Sequence, residues 1–505
     1  MGKLTRWHHL LISTVLLGGL LGACSFIFDH DDNQCETRDD CVNKGFTGTP
    51  VCQDNVCVAT NLGPEGCFVG TPTTPEEFAN QCTNAQCEKY DNCDKLGLCG
   101  DNPQTPAAIA PPDAAAAPPV DAVFPTQMCV ETGTESTTIV VEGSSAIASF
   151  LQTVAPLVGT QGFRLAYQPA GSCVGVDGIF STDSSKHIAT DRAGTVSLLF
   201  PLTGGGAGVP CSWGAGAQID VGASDVFSTS CNAAYTVPST IADFTGPIQP
   251  MTFVVPSASS NVAISAEAGH IVFGRGAMDT HSAPWDDATL HFVRNASSGT
   301  QQMLARAINV AADQWWGKNS GSTGGVVTGL TSVAPAVVDK VIGIMGTDGL
   351  KSADTRRNIR PLAFQATDQL CGFYPDRIPA SLDKQNVRDG HYPIWGPVHF
   401  YTAVNGGTPT AKASALVTRF SLPGIDQTLL DAIITGGVIP QCAMKVSRDT
   451  EMGPLKAYSP PFQCGCYFES KLADNSTPAG CTVCTSTNDC PSDKPACNLG
   501  FCEAK

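Results

Sequence analysis

The feature that most constrains this fold is a pattern that recurs between residues 137 and 307. Apolar, strand-like runs end in turns of small and hydroxylated residues, and several of these turns open helix-like runs; the turns read EGSSA, AGSCVG, GASD and RNASSGT. Strands that alternate with helices are typical of α/β proteins with parallel sheets, which bind ligands at the carboxyl ends of their strands. The sequence therefore predicts an α/β fold with a ligand site at these turns.

The residue types in the four turns favour an oxyanion ligand. Glycine and other small residues allow backbone N–H groups to approach a ligand closely, and the first N–H groups of a helix are unpaired and carry partial positive charge. Serine and threonine hydroxyls add further donors. Arg294 supplies one full positive charge on a planar fork that can hold two oxygens. We therefore predict an anion site built mainly from neutral donors.

Asp225, in the GASD turn, indicates which oxyanion is preferred. A carboxylate repels an anion unless the ligand brings a proton that the carboxylate can accept. Hydrogen phosphate has such a proton, whereas sulfate at neutral pH has none. A buried acceptor without a donor costs about 1–3 kcal/mol, and more when it is charged. Asp225 would therefore reject the fully ionised anion and accept the protonated one.

Each of these features has a simpler interpretation when it is taken alone. Gly/Ser loops are common in α/β proteins, Arg294 alone fits a surface ion pair, and Asp225 alone fits a helix N-cap. Their combination favours a binding site. The ASSG segment lacks the G-x-S-x-G form of a nucleophile elbow, and no metal ligands or general base are evident. We therefore predict no enzyme activity, no catalytic residue, no metal and no cofactor.

Five segments in order resemble the substrate-binding protein of high-affinity phosphate ABC importers, a PstS-like periplasmic binding protein of type II. These segments are VVEGSSAIASFL, YQPAGSCVGVDGI, IDVGASD, VRNASSGTQQML and DGHYPIWGPVHFYT. The resemblance covers residues of about 137–445. It implies two α/β lobes joined by hinge strands, with phosphate held in the cleft between them and an ABC permease as partner.

The resemblance also implies which residues contact phosphate or a similar oxyanion. The first turn leaves the register open between Ser145 and Ala146, and we favour Ser144 and Ser145 as its donors. The family usually has an Asp two residues after the arginine, where this chain has Ala296. The predicted ligand-binding residues are Ser144, Ser145, Gly171, Ser172, Asp225, Arg294, Ser298, Gly299 and Thr300.

Two cysteine-rich segments near the ends of the chain form an internal repeat. The spacing is Cys-x5-Cys-x10-Cys-x4-Cys over residues 35–57 and Cys-x5-Cys-x6-Cys-x4-Cys over residues 484–502. Small segments without a core are commonly stabilised by disulfides. The Cys481–Cys484 pair in CTVC also permits zinc, but the spacing and the absence of nearby histidine favour disulfides. We therefore predict small disulfide-rich modules at both ends of the chain.

The N-terminus has the form of an export signal. Lys3 and Arg6 precede a short apolar run that ends in LGAC, which resembles a bacterial lipobox with Cys24 as the lipidated residue. The alternative is an ordinary signal peptide with a chance cysteine. We predict an exported protein, anchored in the bacterial cell envelope by lipid at Cys24 and facing the periplasm or the surface. Removing Cys24 leaves 22 of the 23 cysteines, and export to an oxidising compartment predicts eleven disulfides among them.

Composition and linker signals complete the predicted organisation. The formal net charge of −17 argues against nucleic acid as a partner. A Pro/Ala-rich stretch predicts an extended linker. The predicted segments are a signal peptide at 1–23, an acidic cysteine-rich region at 24–101, the linker at 102–126, a phosphate-binding-protein-like domain at 127–445 (first lobe about 137–245 and 395–445, second lobe about 250–390) and a C-terminal cysteine-rich module at 446–505.

Two functional interpretations remain from the sequence. In the first, the protein is a solute-binding lipoprotein that closes over phosphate for ABC-type uptake. In the second, it is a surface interaction or adhesion lipoprotein, in which the cysteine-rich modules bind a protein partner and the α/β domain is a scaffold that transports nothing. A fold alone does not decide between them.

Overall fold

The computed structural model describes residues 35–36, 40–41, 49–53, 56–60, 62–63, 66–99, 105–111, 124–202, 206–276, 282–421 and 426–505. The predicted signal peptide, Cys24 and most of the predicted linker lie outside these residues. Within the described part of the chain, no helix has the length and apolar character needed to cross a membrane.

The strands and helices are numbered in chain order. The strands are β1 (Thr49–Gln53), β2 (Val56–Thr60), β3 (Cys87–Glu88), β4 (Thr138–Gly143), β5 (Arg164–Gln168), β6 (Ile188–Ala189), β7 (Ser197–Phe200), β8 (Val209–Cys211), β9 (Ala217–Gln218), β10 (Val221–Ser224), β11 (Ile241–Pro256), β12 (Ala263–Ser265), β13 (His291–Val293), β14 (Lys318–Asn319), β15 (Ile342–Gly346), β16 (Ile359–Pro361), β17 (Ala363–Gln365), β18 (Gly372–Phe373), β19 (Trp395–Asn405), β20 (Thr408–Pro409), β21 (Val446–Ser447), β22 (Lys456–Ala457), β23 (Ala496–Asn498) and β24 (Phe501–Glu503). The helices are α1 (Pro75–Ala79), α2 (Asn92–Leu96), α3 (Ala148–Gly159), α4 (Ser172–Phe180), α5 (Ser228–Cys231), α6 (Ala266–Arg275), α7 (Gly299–Ala307), α8 (Thr323–Thr331), α9 (Ala353–Asn358), α10 (Gln385–Asp389), α11 (Ala411–Val417), α12 (Gln427–Gly436) and α13 (Gly465–Leu472).

The chain divides into two compact units, residues 1–71 and 72–505. In the first unit, β1 and β2 form a hairpin, and Cys35–Cys52 and Cys41–Cys57 are its disulfides. The segment 72–99, which the sequence groups with the N-terminal module, belongs to the second unit. There β3 pairs with β18, and Cys87 is bonded to Cys371.

A twelve-stranded sheet organises the second unit, and its main path runs β14-β13-β15-β11-β19-β10-β4-β5-β7-β8. The prediction of parallel pairing is correct for β4 with β5 and β10, and for β13 with β14 and β15. It is wrong for β11 and β19, which run antiparallel to each other and to β15 and β10, and for β7. These antiparallel strands join two halves of the sheet whose own strands are parallel.

The strand β11 belongs to both halves of the sheet. Residues 241–250 pair with β19, and residues 251–254 pair with β15. One hydrophobic core packs around β4, β5 and the helices α3, α11 and α12, while another packs around the second part of β11 with α6 and α7. Two cores joined by crossing strands, with disulfide-rich segments at both ends of the chain, confirm the predicted fold class.

Disulfides also confirm the sequence repeat. In the C-terminal module Cys484 is bonded to Cys497 and Cys490 to Cys502, so the first cysteine pairs with the third and the second with the fourth, as in the N-terminal module. In both modules the last two cysteines face each other across a hairpin. All 22 cysteines after Cys24 are disulfide-bonded, as predicted.

Residues 105–111 of the predicted linker are part of the second unit and pack near α6. The imidazole of His270 on α6 is 2.9 Å from the carbonyl oxygen of Pro106, and Trp316 Nε1 donates to the carbonyl of Ile109 at 2.7 Å. The backbone N–H of Ile109 in turn donates to the carbonyl of Gly274 at 2.7 Å. This part of the predicted linker is therefore attached to α6 rather than acting as a free spacer.

Candidate anion site

The four predicted turns all lie where strands end. β4 ends at Gly143, β10 ends one residue before Asp225, and β13 ends one residue before Arg294. Because these strands flank the crossing strands β11 and β19, their carboxyl ends converge. The φ of Gly143 is +148°, and a Cβ there would lie 1.8 Å from the carbonyl oxygen of Ala223, so only glycine lets the first and third turns approach so closely.

Asp225 is the centre of the first half of the site, and its side chain is buried with 1% exposure. Its Oδ2 accepts hydrogen bonds from the hydroxyls of Ser144 and Ser172, the latter at 3.3 Å. Its backbone N–H donates to Ser172 Oγ at 3.2 Å. The Ser144 and Ser172 hydroxyls, predicted as ligand donors, are thus engaged with Asp225.

The other carboxylate oxygen of Asp225 is unpaired. Oδ1 is buried and has no hydrogen-bond partner within the described residues. Burial raises the pKa of Asp225 from 3.8 to about 6, although the two serine hydroxyls and, through their charges, Arg294 and His399 oppose the rise. At neutral pH Asp225 is therefore an ionised acceptor with one oxygen available.

Arg294 is the centre of the second half and is 3% exposed. Its Nη2 donates to Ser145 Oγ and to the carbonyl of Gly321, both at 2.9 Å, and its backbone N–H donates to Gln301 Oε1 at 2.8 Å. Its Nε and Nη1 are buried and unpaired among the residues that the structure describes. Burial lowers the pKa of Arg294 to about 10, which leaves the guanidinium charged at neutral pH.

The helix α7 brings the remaining predicted residues against Asp225. Ser298 is its N-cap residue, and Gly299 and Thr300 are its first two residues. A Cβ on Gly299 would lie 2.2 Å from Ser172 Oγ and 2.8 Å from Asp225 Oδ2, so the start of the helix directly contacts the first half of the site. The Ser298 side chain makes no capping hydrogen bond. The N-terminus of the helix, which carries partial positive charge, therefore lies against the buried carboxylate.

A further hydrogen bond joins the two halves near Gly171. The N–H of Cys173 donates to the carbonyl of Ser297 at 2.9 Å. Cys173 is also bonded to Cys231, which follows Asp225 on α5. Two turns of the first half are thus covalently joined, and one of them is hydrogen-bonded to the arginine turn.

A second buried acid, Asp348, lies in the turn that follows β15 and was not predicted from the sequence. Gln249 Nε2 donates to its Oδ1 at 3.2 Å. Burial, with a smaller contribution from the charge of Asp225, raises the pKa of Asp348 to about 7. Asp348 and Asp225 both favour the charged form of Arg294. These acids from other turns supply the negative charge that a carboxylate at position 296 would provide, where this chain has Ala296. Polar residues at the end of the apolar strand IGIMG were the available signal.

The structure therefore brings all nine predicted residues to one locality. Three buried polar atoms within it lack a protein partner among the described residues: the acceptor Asp225 Oδ1 and the donors Arg294 Nε and Nη1. An unpaired buried polar atom costs free energy, and such atoms in a native structure indicate a ligand or water.

Comparison with known proteins returns matches among solved structures only. No family model matches this chain, and no curated protein matches it. An ABC-type phosphate transport receptor from Vibrio cholerae matches with 13% identity and a TM-score of 0.37, covering 60% of this chain and 99% of the receptor. A phosphate-binding protein from Stenotrophomonas maltophilia matches with 15% identity and a TM-score of 0.35 over 60% and 90% of the two chains.

PstS from Borrelia burgdorferi also matches, with 13% identity, a TM-score of 0.33 and coverage of 60% of this chain and 98% of PstS. The matched proteins are of the kind that the ordered motifs resemble. With TM-scores this low the matches carry no argument about the ligand, so any assignment of ligand depends on the residues of this chain.

Proposed function

We propose that this protein binds phosphate, or a related protonated oxyanion, between the Asp225 turn and the Arg294 turn. The observation that carries the proposal is the set of three unpaired buried atoms, namely Asp225 Oδ1 with Arg294 Nε and Nη1. The guanidinium of Arg294 can bind two anion oxygens. The carboxylate of Asp225 can accept a hydrogen bond from the anion only if the anion carries a proton.

The two halves of the site have complementary tasks in this proposal. Arg294 and the start of α7 provide charge and donors, while Asp225 selects for a proton on the ligand. Ser144 and Ser172 hold Asp225 in place, Ser145 orients the guanidinium, and the Ser298 and Thr300 hydroxyls are further donors. The site binds the anion without altering it, as the sequence predicts.

The cellular role proposed is that of an exported solute-binding lipoprotein, anchored at Cys24, which delivers phosphate to an ABC-type permease. The crossing strands β11 and β19 support this role. Among the described strands, only these two connect one half of the sheet to the other by strand pairing. Bending of such strands is a usual means of closing two lobes over a ligand. The predicted domain boundaries, 127–445 with its two lobes, are part of this proposal.

Calorimetry of the full chain with phosphate, arsenate and sulfate tests the ligand. We expect phosphate and arsenate to bind with micromolar or tighter affinity and sulfate to bind much more weakly, because sulfate leaves Asp225 Oδ1 without a donor. Asp225→Asn should lower the ratio of phosphate to sulfate affinity. Its matched control is Asp313→Asn, at an exposed acid near the end of α7. Absence of anion binding at millimolar ligand would exclude the proposal.

The alternative role, a surface interaction protein, is favoured by one observation. The modules at the two ends of the chain share their disulfide pairing and hairpin, although their sequences and loop lengths differ. Removal of the loop of residues 491–495, which precedes the C-terminal hairpin, should leave phosphate affinity unchanged under the transport proposal. Loss of cell-surface attachment to a protein partner in that variant, with no anion binding in the parent chain, would favour the alternative.

A further inference from the structure

A cavity of about 430 Å³ lies between α12, α13 and the turn that follows β15. Its apolar wall includes Ile434, Val438 and Phe468. Small-molecule sites are typically concave, mostly apolar and between about 300 and 1,000 Å³, with a few polar groups that orient the ligand. We call this cavity the lysine pocket because three lysines line it.

Three lysines line the lysine pocket: Lys351, Lys384 and Lys471. Lys384 is buried and paired with Asp376, its Nζ lying 2.8 Å from Oδ1. Lys471 lies 3.4 Å from Asp431. Asp431 itself lines the cavity, so two of the three lysines are already paired with acids.

Lys351 is an exposed lysine without an ion pair, although the charge of Asp348 opposes the lowering of its pKa by burial. Its stem lies against Gly437, where a Cβ would be 3.4 Å from Lys351 Cδ. Within the part of the chain that the structure describes, its ammonium group makes no hydrogen bond or ion pair. Next to an apolar wall, such an ammonium group favours an anion that also carries an apolar body.

The lysine pocket is separate from the anion site. None of the nine predicted ligand-binding residues lines it. The turn after β15 separates the two, because Thr347 lines the pocket whereas the neighbouring Asp348 acts on Arg294. A ligand of the pocket would therefore not compete with phosphate for the same atoms.

We propose that the lysine pocket is a second binding site, for a small organic anion with an apolar body and one acidic group. The apolar body would pack on Phe468 and Ile434. The acidic group would lie between the ammonium groups of Lys351 and Lys471. Inorganic anions, which lack an apolar body, fit this arrangement poorly. The proposal stands whether or not the first site binds phosphate.

Calorimetry with a matched pair of probes tests the charge requirement. The full chain is titrated with 1-naphthoate and with uncharged 1-naphthalenemethanol, in phosphate buffer so that the first site sees a constant anion. We expect 1-naphthoate to bind one molecule per chain and the alcohol to bind at least tenfold more weakly. Equal affinities for the two probes, or no naphthoate binding at millimolar concentration, would overturn the proposal.

Variants locate the binding. Lys351→Gln and Lys471→Gln should each weaken naphthoate binding by about threefold to tenfold, as expected for a charge-assisted contact that is partly open to solvent. Lys318→Gln, an exposed lysine on β14, is the matched control and should change nothing. Thr435→Trp places an indole in the pocket from an exposed position on α12 and should abolish binding. Naphthoate affinity that survives both Thr435→Trp and the double lysine variant would place the probe elsewhere and contradict the proposal.

Discussion

The turns that follow β10 and β13 bury charges of opposite sign in the same way. Asp225 has one oxygen fully engaged, by two serine hydroxyls, and the other unpaired. Arg294 has one nitrogen fully engaged, by a hydroxyl and a carbonyl, and two unpaired. Each charge is thus oriented by neutral groups on one side and left available on the other.

The difference lies in what each charge requires from a ligand. Arg294 attracts any anion, and its burial makes the attraction strong because solvent does not screen it. Asp225 repels every anion except one that donates a proton. Under the proposed function, the Arg294 turn would therefore govern how tightly an oxyanion binds, and the Asp225 turn would govern which oxyanion binds.

The largest effect should come from Arg294→Ala. Removing the single buried cation leaves an anion in a site that contains two carboxylates, and losing one partner of a buried charged contact costs roughly 2–5 kcal/mol. We expect phosphate affinity to fall at least a hundredfold in calorimetry. Arg306→Ala, at an exposed arginine on α7, is the control. Retention of affinity within tenfold in Arg294→Ala would show that the backbone donors of α7 dominate.

Asp225→Asn should change selectivity rather than abolish binding. The amide keeps the shape of the side chain, removes its charge and can donate as well as accept, so sulfate no longer leaves an unpaired carboxylate oxygen. We expect the ratio of phosphate to sulfate affinity to fall by about tenfold or more, as expected for one buried charged acceptor. The ratio is measured by competition with labelled phosphate. An unchanged ratio would remove Asp225 from the selection of ligand.

Asp225→Asn should also stabilise the ligand-free protein at high pH. Because the pKa of Asp225 rises from 3.8 in the unfolded chain to about 6 in the fold, ionisation destabilises the native state. That penalty is absent below pH 3.8, grows between pH 4 and 6, and is complete above pH 6. We expect the variant to gain about 1–3 kcal/mol in free energy of unfolding at pH 8 and little at pH 4. The measurement is urea unfolding at both pH values, with Asp313→Asn as the control.

Ser145→Ala should have the smallest effect. Arg294 Nη2 keeps its hydrogen bond to Gly321 when the Ser145 hydroxyl is removed, so the guanidinium loses one of two neutral contacts. A neutral hydrogen bond contributes about 0.5–1.5 kcal/mol, and we expect phosphate affinity to fall about threefold. Selectivity against sulfate should not change. A change in selectivity equal to that of Asp225→Asn would contradict the separation of tasks between the two turns.

The sequence predicted that the turns of the candidate site lie together because the signal is local. Gly143, Asp225 and Arg294 each follow an apolar run, and the carboxyl ends of neighbouring parallel strands must lie together. The antiparallel direction of β11 and β19 was not predicted, because strand direction depends on long-range pairing that local patterns do not encode.

Other properties of the site depend on how distant segments pack. That the Ser144 and Ser172 hydroxyls serve Asp225 follows from side-chain orientation, which the spacing of the motifs does not specify. Asp348 lies 54 positions after Arg294 in the chain. Its influence on the guanidinium arises only when β13 and β15 pair in the sheet. The lysine pocket depends in the same way on α13, from the C-terminal module, packing near α12.

The Cys173–Cys231 disulfide links the rigidity of the candidate site to the oxidation of the chain. It joins the residue after Ser172 to the helix after Asp225, so the two turns that surround the carboxylate become one piece only when the bond is formed. In a reducing cytoplasm these turns would be tied only by hydrogen bonds, and in an oxidising compartment they are tied covalently. If the chain is exported and binds an anion as proposed, we expect the oxidised protein to bind that anion more tightly than the reduced protein.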